Sequence, residues 1–543
     1  MNLIPNQLTK TPLKAHVFAH YLSSHSDHNY ANEVINILLY VAHLGYCGPR
    51  VARLSPNSFS VKKHKKLIAD TIQAEITAGH TCGPFDYSPF TDLICSPLFV
   101  IPKKNSSKFR AILNLSSPVG SSVNDYIDKD CFSMHYSRID DAIFHLTQLG
   151  KGALMSKLDI KSAFRLIPVH PCDWPLLGYC IDNKFYYDTV LPFGLRSSPY
   201  LFCLISDAIL WIFSHLNNHY HALCYMDDFL ICALPTAGNC QLLMDSFISL
   251  CSCLGVPLAE DKTEGPSSSI TFLGVLLDSV TQTISLPQSK FTALSELLMI
   301  WSEKESCTRL ELQSLIGHLM FASKCIPSSR LFTRRLILLL SDFQPSVDFM
   351  VIAGEFRKDI DWWIKFLPLW NGAASFIKPH WLSSSTINLF TDASATLGCG
   401  AFFNGAWFSL RWPDWLLLAN FSIEFLELVP IAFACHVWHK SFSTQRISFQ
   451  CDNLGAVQAF NKLGSSSRSV LHLLRDIVSS CARYNFTIRL FHLPGIDNDI
   501  ADSLSRAEFS RFRSLAPSAD YYPVNLPDLF SSLRSVYMQE QWT

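Results

Sequence analysis

Two aspartates stand side by side in an otherwise apolar run, Leu223-Cys224-Tyr225-Met226-Asp227-Asp228-Phe229-Leu230-Ile231. The short aliphatic and aromatic flanks predict a buried strand, a tight turn and a returning strand. Adjacent like charges are costly to bury unless something positive compensates them. A divalent cation with oxygen ligands is the least costly compensation, and it requires a further carboxylate elsewhere in the chain. The alternative is a hairpin in which Asp227 and Asp228 are plain turn residues.

At 543 residues the chain has room for several domains, roughly three or four. A hydrophobic content of 49% against 16% charged residues means that most of it can bury a core. The formal net charge of −1 excludes an overall basic excess, so any nucleic-acid role has to rest on local basic clusters. The 18 cysteines are scattered without a CxxC pair. That distribution predicts reduced thiols of an intracellular protein rather than a disulfide frame or a zinc site. Residues 1–10 lack a secretory apolar region, and no apolar run reaches about 18 residues. The expectation is a soluble protein, cytoplasmic or nuclear, not secreted and without a membrane partner.

Residues 1–57 are expected to be an N-terminal helical extension. Its helix is predicted at 30–43, from Val34, Ile37, Leu38 and Val41, before Gly45 and Gly48-Pro49 break it. A second helix at 66–78 follows the run Lys62-Lys63-His64-Lys65-Lys66, which suits either a phosphate contact or a solvated helix start. The strand 96–102, the loop carrying Lys103, Lys104, Lys108 and Arg110, and a return strand 111–115 form a basic hairpin. Such a hairpin suits a triphosphate or a nucleic-acid backbone, or is an ordinary solvated tip. Residues 154–160 alternate apolar and polar and end in Asp159, the carboxylate that the paired aspartates require. Carboxylates on neighbouring strand ends are the plan of a two-metal site for in-line displacement at phosphorus. After a hairpin around Asp182-Asn183 comes Leu191-Pro192-Phe193-Gly194-Leu195-Arg196-Ser197-Ser198-Pro199, where Gly194 permits close backbone approach and a helix is predicted over 198–216.

Taken together, these residues resemble reverse transcriptases. Asp159 with Phe164 looks like the first palm motif, the segment around Phe193 and Gly194 like the template grip, and Tyr225-Met226-Asp227-Asp228 like the YxDD motif. Leu254-Gly255 with Lys262, and Phe272-Leu273-Gly274 as primer grip, follow in family order. The resemblance implies fingers and palm over 58–286. Asp159 and Asp227 would hold two Mg2+ (or Mn2+), with Asp228 a weaker ligand. Lys103, Lys104, Lys108 and Arg110 would lie near the incoming dNTP, Arg110 being the favoured contact. Phe164 would sit under the sugar and exclude a 2′-hydroxyl, and Lys262 either protonates pyrophosphate or is a loop lysine.

Residues 287–385 turn helical, as a thumb or connection would. Apolar spacing predicts helices at 291–301 and 309–323, and Arg330, Arg334 and Arg335 fall near one helix face, suited to a duplex backbone or to solvent. Trp362, Trp363 and Trp370 are expected in the core.

A second carboxylate set follows over 386–508. Asp392 and Asp452 each end a strand, Glu424 and Glu427 lie on a helix predicted over 423–440, and His492 and Asp502 close the set. Four acids in this order resemble RNase H, a mixed sheet with helices. The resemblance implies Asp392, Glu427, Asp452 and Asp502 as ligands of two Mg2+ that activate a water against an RNA phosphodiester. It favours Glu427 over Glu424 and Asp502 over Asp497 or Asp499. His492 would aid product release or proton transfer, or is structural. The 2′-hydroxyl would mark the RNA strand.

The expected fold class is therefore α+β and α/β multidomain, a right-hand polymerase followed by an RNase H-like sheet, with 509–543 a C-terminal tail. The implied function is RNA-directed DNA synthesis with removal of the template, the partners being an RNA template, a DNA primer, the RNA-DNA hybrid and dNTPs. Ser116 to Asp125, Asp173-Trp174-Pro175-Leu176-Leu177-Gly178 and Leu191 to Pro199 resemble DIRS-type, tyrosine-recombinase retrotransposons, and the ending from His492 to Arg506 fits these and gypsy-type LTR elements alike; the resemblance implies a separately encoded recombinase or capsid protein. The alternative is a host-retained, catalytically silent nucleic-acid-binding remnant.

Overall fold

In the computed structural model, the described residues are 11–102, 109–343, 349–370, 372–378, 380–465, 467–493, 498–531 and 534. They divide into two compact units, residues 1–141 with 152–270, and residues 142–151 with 271–543. Lys103, Lys104 and Lys108 lie outside the described residues.

The first unit is built on a four-stranded antiparallel sheet, in the order Glu264–Ser267, Leu154–Asp159, Asp228–Ala233, Ala222–Tyr225. Phe229, Leu230, Ile231 and Cys232 are almost wholly buried, so this strand is apolar on both faces rather than alternating. The helices Ser198–Asn217 and Asn239–Leu254 pack on the sheet. Ser198–Asn217 is long and apolar enough to cross a membrane by length and composition alone, but most of its apolar window is buried in this protein's own core. A second, five-stranded sheet and the hairpin Leu98–Pro102 with Phe109–Leu113 complete the unit. The return strand thus starts two residues earlier than predicted, which puts Arg110 inside the ladder opposite Ile101.

The N-terminal segment is part of this core. Helix Ala15–Leu22 and helix His28–Tyr40 bury Phe18 and Val34 beside Phe202 and Ile209, and the Tyr30 hydroxyl donates to Leu204 O at 2.7 Å. The second helix stops at Tyr40, not at 43 as predicted. Val41 turns to φ 63°, and the Ala42 N–H leaves the helical pattern to bond Pro168 O at 2.8 Å. Tertiary pairing overrides the local periodicity there.

In the second unit, the helices Gln288–Glu303 and Arg309–Ala322 appear close to their predicted positions. The latter starts with a reciprocal capping box between Thr308 and Glu311. Of the basic row predicted at Arg330, Arg334 and Arg335, Arg330 is exposed and the other two make internal contacts. Arg334 donates to Lys462 O and Leu463 O, and Arg335 lies 3.6 Å from Asp359. Asp359, on helix Glu355–Trp370, has a fully buried side chain and is held by Arg475 at 2.5 Å. Arg475 belongs to helix Arg468–Arg483 and lies over the Phe332 ring. Trp363 is fully buried, as expected.

Three antiparallel strands, Leu389–Ala393, Gly398–Phe403 and Ala406–Arg411, adjoin three parallel strands, Trp381–Ser383, Arg446–Cys451 and Thr487–His492. Helix Ile423–Val437 packs on them with nearly every residue from Phe425 to Cys435 buried. On Gly398–Phe403, Gly400 lets helix Asp499–Ser505 come so close that a Cβ there would lie 2.4 Å from Leu504 Cβ. The segment expected to be a tail begins instead with helix Phe509–Leu515, whose fully buried Phe512 joins Phe402, Trp407 and Leu504 in one cluster.

Candidate active sites

In the first unit, Asp159 and Asp228 are direct cross-strand partners. Asp227 sits in the two-residue turn before Asp228, and its carbonyl accepts from Ile160 N at 2.9 Å. Met226, the other turn residue, has φ 57°, a left-handed conformation costly for a residue with a side chain and held here by the ladder on either side. Three carboxylates therefore meet at the ends of the two central strands. Burial, then the neighbouring Asp227 and Asp159, push the Asp228 carboxyl up to about 6. Burial and the charge of Asp159 also raise Asp227.

Lys262 is the cation that the structure supplies. Its Nζ donates to both oxygens of Asp159, and that hydrogen bond raises its own pKa. Asp159, Asp227, Lys262, Arg110 and Phe193 line one cleft of about 800 Å3. Arg110 stands over the Phe193 ring with its guanidinium carbon 5.5 Å from the centroid. Phe164 is only 7% exposed and packs between Phe193 and Phe202 at centroid distances of 5.2 and 5.8 Å. Gly194, at φ 95°, lies where a Cβ would be 2.9 Å from Leu113 O, so only glycine fits.

Asn124 is the residue here that sequence reasoning did not single out. Its buried amide donates to Gly194 O and Ser116 Oγ, both at 2.8 Å, and accepts from Arg196 N at 2.8 Å. It fixes the loop that presents Phe193 and Gly194. The signal available in the sequence was an asparagine between Val123 and Asp125, within the run Ser116 to Asp125, which is not specific. Phe272 is fully buried, and Leu273 and Gly274, at φ 47° and 80°, make a tight turn. The Gly274 carbonyl accepts from Lys290 at 2.9 Å.

In the second unit, Asp392 is 7% exposed and Glu427 is 4% exposed. Donor atoms of Glu427, Cys451 and Asp452 lie within 4.8 Å of one another. Burial, with the charges of Asp392 and Asp452, drives the Glu427 carboxyl up to about 10. Asp392 is raised to about 6 by burial, partly offset by a hydrogen bond from Ser505. Burial raises the Cys451 thiol strongly, so it stays protonated and leaves the oxygens as the available ligands. Glu424 is half-buried and accepts from Ser465 at 3.4 Å, outside this group.

Asp502 differs from its neighbours. Burial pushes its carboxyl up, but Arg506 and Arg511 outweigh that and hold it below the usual range. Arg506 Nε donates to one oxygen at 2.6 Å and Arg511 Nη1 to the other at 2.7 Å. His492 Nε2 donates to Asp452 O at 3.1 Å. Asp497 lies outside the described residues, and Asp499 is paired with Arg511 at 2.6 Å.

Both sets fit divalent cations on the same observation. Asp227 and Asp228 in the first set, and Asp392 and Glu427 in the second, are raised by burial and by neighbouring carboxylates, a repulsion that a divalent cation would remove, whereas Asp502 is compensated by its arginines.

Residues 101–277 match the family described as reverse transcriptase (RNA-dependent DNA polymerase). Among curated relatives, the genome polyprotein of Petunia vein clearing virus (isolate Shepherd) is 32% identical over 168 residues, 31% of this chain. Protein P of duck hepatitis B virus is 28% identical over 165 residues, 30% of this chain. The transposon Tf2-3 polyprotein of Schizosaccharomyces pombe is 23% identical over 383 residues, 66% of this chain. The chain carries a reverse-transcriptase domain related to those of viral and retrotransposon polyproteins. It spans only 7%, 19% and 26% of those three proteins' lengths.

In fold, it is similar to a foamy viral protease-reverse transcriptase dRH in complex with double-stranded DNA. The TM-score is 0.50 at 16% identity, covering 91% of this chain and 84% of that one. The foamy viral enzyme in complex with an RNA/DNA hybrid gives a TM-score of 0.50 at 16% identity, over 90% of this chain and 64% of that one. The fold is thus right-hand polymerase-like, with mixed α/β regions consistent with fingers, palm, thumb and an RNase H-like sheet.

Proposed function

We propose that the chain is an RNA-directed DNA polymerase with ribonuclease H activity, copying retroelement RNA into DNA and degrading the RNA strand of the hybrid. The observation that carries this is the meeting of Asp159, Asp227 and Asp228 at the ends of the two central strands, inside the segment of reverse-transcriptase similarity. Asp159 and Asp227, with Asp228 beside them, would hold two Mg2+ or Mn2+ ions. When bound, these supply charge neutralisation at the triphosphate and activation of the primer hydroxyl. The protein's own part is positioning. Arg110 and the lysines of its hairpin meet the phosphates of the dNTP, Phe164 closes the floor under its sugar, and Gly194 lets the backbone approach the template. Lys262 stands where it can leave Asp159 and give a proton to departing pyrophosphate. Phe272, Leu273 and Gly274 form the primer grip.

Asp392, Glu427, Asp452 and Asp502 would hold the ions of the ribonuclease centre. His492 is hydrogen-bonded to the Asp452 backbone, a place suited to moving a proton or releasing product. The partners are an RNA template, a DNA primer and their hybrid, in the cytoplasm or nucleus. The motifs around Ser116, Asp173 and Phe193 favour a DIRS-type element, with its recombinase or capsid protein encoded separately.

Primer extension on an RNA template with dNTPs and Mg2+ tests this. Wild type should extend, Asp227→Asn should not, and Asp392→Asn should extend without degrading the template. If wild type binds primer-template but neither extends nor cuts, the chain is a catalytically silent nucleic-acid-binding remnant.

A further inference from the structure

We propose that His43, His170 and Cys172 form a binding site for a borderline-soft divalent transition metal, zinc foremost, separate from the carboxylate centre of the same unit. Donor atoms of the three residues lie within 4.8 Å of one another. Cys172 Sγ is 2.9 Å from His170 Nδ1 and 3.8 Å from His43 Nδ1. A tetrahedral zinc with bonds of about 2.3 Å to sulfur and about 2.1 Å to nitrogen separates those two atoms by about 3.6 Å. One pair is already at that spacing, and the other reaches it by a small rotation of the Cys172 side chain.

The backbone builds the site. His170 N donates to Ala42 O and Ala42 N to Pro168 O, each at 2.8 Å, which sets the two histidines side by side. Their rings stack at 4.2 Å, 26° apart. Asp173 stands behind them with its side chain only 5% exposed. It accepts from Leu44 N at 3.0 Å and from Arg50 at 2.5 Å, and lies 3.5 Å from His43 Nδ1. Through Leu44 and Arg50 this carboxylate holds the loop that carries His43, and His43 Nδ1 exchanges its contact with Asp173 for the metal on coordination.

The donor set decides the metal class. Two imidazoles and a thiol are poor ligands for Mg2+ or Ca2+ and good ones for Zn2+. His170 Nδ1 accepts from Cys172 N at 3.2 Å, so it carries a lone pair rather than a proton. The metal takes over that lone pair, and Cys172 gives up its thiol proton to water as it coordinates. The side chain of His43 is 65% exposed and Cys172 is exposed, so the ion has a path in, and water can fill a fourth position. No CxxC spacing announces such a site, because one ligand comes from the segment after helix His28–Tyr40 and the others from the start of the 3-10 helix Pro171–Leu177. The bound ion ties these segments together.

The test uses the full chain, freed of metal and then kept in excess Mg2+ so that the carboxylate centres are occupied. Titration with Co2+ should give one ion per chain with a thiolate-to-cobalt charge-transfer band, which Zn2+ then displaces. Cys172→Ser should abolish the band, and His43→Ala should weaken Co2+ binding at least about tenfold, whereas Cys47→Ser at another exposed cysteine should change neither. Both ligand substitutions are at exposed positions, and circular dichroism checks that the variants remain folded. Absence of the band at micromolar Co2+, or a band that survives Cys172→Ser, overturns the proposal.

Discussion

Lys262 donates to both carboxylate oxygens of Asp159, at 2.8 and 2.9 Å. An ammonium thus occupies the oxygens that a divalent cation would use, and the two compete. Lys262→Met should lower the Mg2+ concentration for half-maximal primer extension by about two- to fivefold, the scale of a solvent-screened ion pair, since the lysine side chain is 56% exposed. The maximal rate should fall in the same variant if the lysine serves the leaving pyrophosphate. A Mg2+ titration of extension separates the two effects.

Phe164 is locked between two other rings, one of them Phe193 of the cleft wall. On the proposed placement of the dNTP, Phe164→Val opens space under the sugar. Ribonucleotide incorporation should rise by about tenfold, the scale of one lost steric contact. Alkali sensitivity of the product measures it. Phe164→Ala should also cost stability, roughly 3 kcal/mol or more, visible in thermal denaturation.

Glu427 keeps its proton to about pH 10 in the folded protein without metal, whereas the unfolded chain releases it near pH 4.5. Between those limits the native state binds more protons than the unfolded state, so this stabilisation is complete below the lower value and is lost as pH rises. Urea denaturation in EDTA should show stability falling from pH 5 to pH 8, with a smaller slope in Glu427→Gln. Mg2+ should flatten the slope in wild type by favouring the ionised form.

Asp502 has both oxygens taken by Arg506 and Arg511. Arg511→Ala frees one of them. The Mn2+ or Mg2+ requirement of template degradation should drop about two- to fivefold, with primer extension unchanged. A metal titration of hybrid cleavage checks it. An unchanged requirement would show that Asp502 does not need to turn from its arginines.

Much of the polymerase plan was legible because it is written in short, local patterns. The Tyr225 to Asp228 turn, the strand ending in Asp159 and the glycine at 194 each carry their geometry within a few residues. The order of the carboxylates at Asp392, Glu427, Asp452 and Asp502 was legible for the same reason. What escaped depends on partners far away in sequence. Helix His28–Tyr40 stops early because Ala42 pairs with the backbone at Pro168. Arg334 and Arg335 turned from a suspected duplex face to internal contacts, since a basic row reads the same whether it meets phosphate or a buried aspartate. Phe512 joined a core that no local periodicity ties it to.

Asp359 has a consequence for how this chain can be divided. Its carboxylate sits on helix Glu355–Trp370, while its strongest counter-charge, Arg475, sits on helix Arg468–Arg483. Neighbouring Trp362 donates to Ser479 Oγ at 3.1 Å. A fragment begun at residue 386, where the second carboxylate set opens, would strip Arg475 of its counter-ion and uncover the apolar flank around it. A piece begun upstream, near residue 327, would keep Phe332, Arg335 and Asp359 together with Arg475. The sheet that carries the second carboxylate set is mortised into the segment that precedes it.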